Sequence, residues 1–301
     1  MATIKQNISM DWTTDAGYRA GVAAISGIFD TMGWARTGDS GQLNTGTVTR
    51  PSVGASTNYE VRKSNDGKTD IYFKIAYSIS NTGSNPYFLL WFGDASDGAG
   101  NILSGADTSY VIQYNTATSS SFGTASPDVY PCYFCYETSG GPFVAAFFSS
   151  TGQVTGPNPF LICIDRSRDS SGSATSTYFT VIVTQCANIV TLRNQQRSYI
   201  FGSVPNTGPA STAVNCAVPT AASLSRNGVV GTSAIFPAVP YNDNPMLMAI
   251  VANVSPDLAM TGQFDLTIYG ATHHYLTLYG GNMSQVGPYT NPNTGFCILW
   301  E

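Results

Sequence analysis

Four stretches of the 301-residue chain carry side chains able to do chemistry. The only two histidines stand together in ATHHYLTLY as His273 and His274, where imidazole could ligate a metal or move a proton. Neighbouring strand positions point to opposite faces, so the two rings do not readily close on one ion. Cys132 and Cys135 in YPCYFCYE form one C-x-x-C. A structural zinc normally takes two such pairs, or one pair with histidines, and thioredoxin-like chemistry needs the motif at a helix start. Tyr130, Tyr133, Phe134 and Tyr136 argue for a strand instead, on which cysteines three apart face opposite ways; ordinary buried thiols are the expectation. In GDASDGAGN, Asp94, Asp97 and Asn101 set oxygens among glycines and make a weak calcium candidate, though the same pattern suits a strand-connecting turn. Asp165, Arg166, Arg168 and Asp169 in CIDRSRDSSG alternate in sign and are expected as surface pairs, worth under about 1 kcal/mol.

Beyond these the chemistry is thin. No G-x-S-x-G, Walker loop, H-E-x-x-H or dinucleotide fingerprint occurs. The two carboxylates of a glycosidase would leave little local trace, but such sites usually sit on a more highly charged scaffold. The expectation is a protein that is not an enzyme and needs no cofactor. Charged residues are only 10% of the chain, far below the roughly 25% of ordinary soluble domains. Runs such as TATSSSFGTAS supply the polar surface in their place. A surface so poor in charge has little protection against association, which points to coverage by partners or sister subunits. The net charge of −5 and the scattered Lys and Arg argue against nucleic acid, which needs a local basic stripe. Neither a signal-peptide core nor an 18-residue apolar run is present, so no membrane insertion and no Sec-type export are expected, and reduced thiols follow.

These groups must be positioned by strands and one helix. In TTDAGYRAGVAAISGIFDTMG the apolar Tyr18, Val22, Ile25, Phe29 and Met32 recur at helical spacing, with Thr13 or Thr14 as cap and Gly33 just past the end. After Thr49 the period becomes two: Ile71, Phe73, Ile75, Tyr77 and Ile79 alternate with Tyr72, Lys74, Ala76 and Ser78. Further strands are expected at 58–62, 86–92, 109–114, 130–137, 143–148, 160–166, 178–184, 198–201, 246–254, 263–269, 274–279 and 296–300. The fold class is mainly β, an antiparallel sandwich or barrel-like domain preceded by one N-terminal helix. The expected divisions are helix and hinge at 1–48, the main sandwich at 49–203, a Pro-rich extended linker or arm at 204–244, and C-terminal strands at 245–301 that complete the sandwich or form a small subdomain.

Between helix and strands lies GWARTGDSGQLN, residues 33–44. Gly33 ends the helix, Trp34 covers its apolar end, and Arg36 is expected to pair with Asp39 across a turn made by Gly38 and Gly41. A structural hinge accounts for all of them better than a ligand site does.

The helix, this hinge, YEVRKSNDG, TDIYFKIAYSIS, DGAGNILSG and PFLICIDRSRDSSGSATS follow one another in an order that resembles a group of tailed-bacteriophage virion proteins, over about residues 10 to 185. The resemblance brings no catalytic residues. It implies a structural, tail-associated subunit assembled in the bacterial cytoplasm, whose partners are other virion proteins and copies of itself. Tail, baseplate, collar and fibre positions all fit that implication. A capsid decoration protein is one alternative, its 204–244 arm reaching over neighbours. A receptor- or carbohydrate-binding module is another, with Tyr275, Tyr279 and Tyr289 as candidate contacts for a host surface glycan or partner.

Overall fold

The computed structural model describes residues 1–9, 11–79, 86–103, 110–113, 129–138, 141, 143–147, 160–168, 173–185, 197–201, 235–237, 250–253, 262–268, 270–277 and 295–301. The first elements are β1 (Ala2–Ser9), α1 (Asp15–Thr31), β2 (Ala35–Arg36), β3 (Tyr59–Lys63), β4 (Tyr72–Ile79), β5 (Pro86–Gly93), β6 (Ala95–Ser96), β7 (Ile102–Leu103) and β8 (Tyr110–Gln113). Then come β9 (Val129–Tyr136), β10 (Phe143–Phe147), β11 (Phe160–Arg168), β12 (Ala174–Gln185) and β13 (Arg197–Phe201). The last are β14 (Ile235–Pro237), β15 (Ile250–Asn253), β16 (Gln263–Ile268), β17 (Ala271–Thr277) and β18 (Gly295–Leu299).

The protein is mainly β, with antiparallel sheets packed as a sandwich and one helix near the N-terminus. A central sheet runs β1-β9-β10-β11-β12-β13, a helix-side sheet β2-β3-β4-β5-β8, and a C-terminal sheet β14-β15-β18-β17-β16; β6 and β7 form a ribbon. Among the described residues no sheet closes on itself, so the sandwich form of the expected fold holds and the barrel form does not. The strand expected first in the chain was at residue 58, yet β1 precedes the helix and pairs along its whole length with β9. Its alternation is faint because Gln6 interrupts Ala2, Ile4 and Ile8, and only the β9 partner makes a strand of it. Of the 204–244 stretch, β14 is described and pairs with β15 in the C-terminal sheet.

The helix begins where the Thr14 side chain accepts from the Gly17 N–H at 3.1 Å, and Asp15 sits in its first turn. Its buried face is Tyr18, Val22, Ile25, Phe29 and Met32, the set that the spacing implied. It ends in a complete Schellman motif: the Gly33 N–H donates to the Asp30 carbonyl and the Trp34 N–H to the Phe29 carbonyl, both at 3.0 Å, with Gly33 at φ 78°.

That face is packed between two sheets. One apolar cluster joins the helix to Phe73, Ile75, Tyr77, Phe88, Leu90 and Phe92 of the helix-side sheet and to Phe134, Phe143, Ala145, Ile162 and Ile164 of the central sheet. Phe29 makes edge contacts with Phe73 on one side and Phe143 on the other. The central sheet is covered on its second face as well. Cys135 of β9 joins Tyr275, Cys297 and Leu299 of the C-terminal sheet in a separate cluster, and Tyr133 meets the Trp300 ring edge-on. Strand alternation makes this possible: Cys132, Phe134 and Tyr136 face the helix, while Tyr133 and Cys135 face the C-terminal sheet. The C-x-x-C thus points its two thiols into different interfaces, and burial pushes the Cys135 thiol up to about 12.

One expectation is overturned here. Arg166 is a buried residue whose guanidinium grips Asp66 in a bidentate pair and donates to the Thr69 carbonyl at 2.7 Å. Asp165 is buried too. The strand does not end in solvent at these residues but continues to Arg168, under the turn between β3 and β4, so the charge pair bridges two sheets instead of lying on the surface.

Candidate functional site: the helix and hinge junction

Strand β3 is the axis of the junction, because its alternating side chains serve two different polar networks. Glu60 and Arg62 point inward beneath the helix, and both are almost wholly buried. The Glu60 carboxylate accepts from Tyr77 Oη at 2.5 Å, Arg62 Nη2 at 2.7 Å, Ser26 Oγ at 2.9 Å and Arg36 Nη2 at 3.2 Å. Arg62 also donates to the Trp34 carbonyl at 2.9 Å, the Ser26 carbonyl at 3.1 Å and the Asp30 carboxylate. A carboxylate removed from water is tolerated when its lone pairs are filled and cations stand beside it, as here. Burial alone would lower the Arg62 guanidinium, but Glu60 and Asp30 raise it. Burial, reinforced by Glu60, holds the Tyr77 phenol well above its usual range.

The outward side of β3 carries the second network. Tyr59 lies in a cradle between two glycines at positive φ: its hydroxyl donates to the Ser40 carbonyl at 2.8 Å, and a Cβ on Gly100 would stand 2.3 Å from the phenolic oxygen. Lys74 passes between aromatic rings, its ammonium 4.2 Å from the Tyr59 centroid and 4.7 Å from that of Trp91, and donates to the Gly100 carbonyl at 2.6 Å. Burial lowers the Lys74 ammonium, with Asp97 and Asp39 opposing.

The hinge closes over the free edge of β3. Ala35 and Arg36 pair with Lys63 and Arg62, the Thr37 N–H donates to the Val61 carbonyl, Val61 N–H donates to Gln42 Oε1 at 2.8 Å, and Leu43 N–H donates to the Tyr59 carbonyl. An edge that would otherwise offer unpaired backbone groups to a neighbour is thereby filled.

Of the expected hinge residues, Gly33 and Trp34 act at the helix end: Trp34 is fully buried and its Nε1–H donates to the Gly141 carbonyl at 2.8 Å. Gly41 packs against the Tyr59 hydroxyl. The Arg36–Asp39 pair is not formed. Pairing opposite Arg62 puts Arg36 on the inward side of β3, where it meets Glu60 at 3.2 Å, whereas Asp39 turns outward to the 96–100 loop. There its carboxylate accepts from Ser96 Oγ, from Thr37 Oγ1 at 2.6 Å and from the Gly100 N–H at 2.9 Å. Burial would raise the Asp39 carboxyl, but these bonds hold it below the usual range.

The calcium candidate falls in the same loop. Asp97 accepts from the Asn101 side-chain amide at 2.6 Å and from the Ala99 and Asn101 backbone N–H groups at 2.7 and 3.0 Å, so its carboxylate organises a turn. Asn101 directs an N–H, not an oxygen, towards Asp97; Asp94 lies at the end of the preceding strand. Among the described residues no group of three or more His, Cys, Asp or Glu side chains is placed to hold a metal.

The two histidines do face opposite ways. His273 Nδ1 is 2.5 Å from Glu301 Oε1, and His274 Nδ1 is 2.6 Å from Asp265 Oδ1. Tyr275, expected as a glycan contact, is fully buried and stacked on Phe264 with centroids 5.8 Å apart, because its position on β17 faces the central sheet; it offers no face to a sugar. Tyr279 and Tyr289 lie outside the described residues. Sequence reasoning missed Glu60, Arg62 and Asp66. A clue was available for the first two, since a Glu and an Arg two apart in a short strand share one face.

Comparison of the chain with protein-family models, curated proteins and solved structures finds no match.

Proposed function

We propose that this protein is a structural subunit of a bacteriophage virion, in the tail, baseplate, collar or fibre region, that acts by contact with other virion proteins and with copies of itself and not by catalysis. The observation that carries the reading is the use made of the charged groups at the junction: Glu60, Arg62, Arg36, Asp39 and Arg166 tie helix, hinge, loops and sheets together. Such an arrangement stiffens a scaffold. The low charged content and the order of sequence blocks between residues 10 and 185 support the same reading. No helix of the described residues is long and apolar enough to cross a membrane.

Mass spectrometry of purified particles, with heads and tails separated, tests the proposal. The subunit is expected in the tail fraction, while recovery with heads selects capsid decoration. A freely diffusing monomer never found in particles overturns the virion reading. Turnover on a cell-wall polysaccharide, abolished by replacing one Asp or Glu, overturns the non-catalytic part.

A further inference from the structure

We draw no further inference here: the strongest candidate, the half-buried cluster of Tyr59, Lys74 and Trp91 on the outward side of the helix-side sheet, belongs to the junction already described, where both rings and the Gly100 carbonyl hold the Lys74 ammonium, and nothing in the structure shows what covers it.

Discussion

Glu60 shows how much one side chain can organise. It accepts four hydrogen bonds from the helix, the hinge and two strands while fully out of solvent. Glu60→Gln removes the charge that Arg62 and Arg36 face, and breaking a buried pair in this way costs about 3–5 kcal/mol. Urea unfolding is expected to show that loss, and the double variant Glu60→Gln/Arg62→Met to lose less than the two single losses added together; strict additivity would mean the pair is not coupled. Gly100 is demanding for a different reason. An added methyl would collide with Tyr59 at a backbone φ of 88°, so Gly100→Ala is expected to cost about 1–3 kcal/mol, part of it recovered when Tyr59 is also cut to Ser. Thermal melts of the two variants check this.

The helix and the 96–101 loop are held in different ways, and this predicts different sensitivities. The helix end depends on backbone conformation: Gly33→Ala forces an L-residue into the left-handed region and is expected to cost about 1–2 kcal/mol at any pH, read from helical ellipticity on heating. The loop depends on ionised Asp39. A carboxyl held below its unfolded value contributes stability that is complete above that value, about 3.9, and is lost as the pH falls through the lower folded value. Amide exchange at Gly100 and Ser40 is therefore expected to lose protection on acidification in the wild type, and Asp39→Asn to show a shallower pH dependence. Equal slopes for the two proteins would remove Asp39 from the account.

Among the described residues, ionic contacts join different layers at two places, between Arg62 of the helix-side sheet and Asp30 of the helix and between Arg166 and Asp66. Arg166 and Asp66 connect the central sheet to the turn between β3 and β4. Replacing Asp66 by Asn leaves a buried guanidinium facing a neutral amide and is expected to destabilise by about 3–5 kcal/mol, whereas Arg166→Met with Asp66→Asn is expected to recover much of that loss. Denaturation midpoints that are lower in the double variant would show that the pair is net stabilising. Charge withdrawn into such joints is charge missing from a surface already poor in it, with charged residues only 10% of the chain.

Periodicity alone determined the helix from Tyr18 to Met32, the buried face of β4 and the opposed directions of Cys132 and Cys135, because side-chain direction follows local backbone geometry. The pairing of β1 with β9, the partner of Arg36, the burial of Arg166 and the covering of Tyr275 were decided only in three dimensions. A strand's alternation says which residues share a face and nothing about what covers that face. Charges in particular look alike on a surface and in a joint until the chain brings Asp66, a hundred positions away, to Arg166.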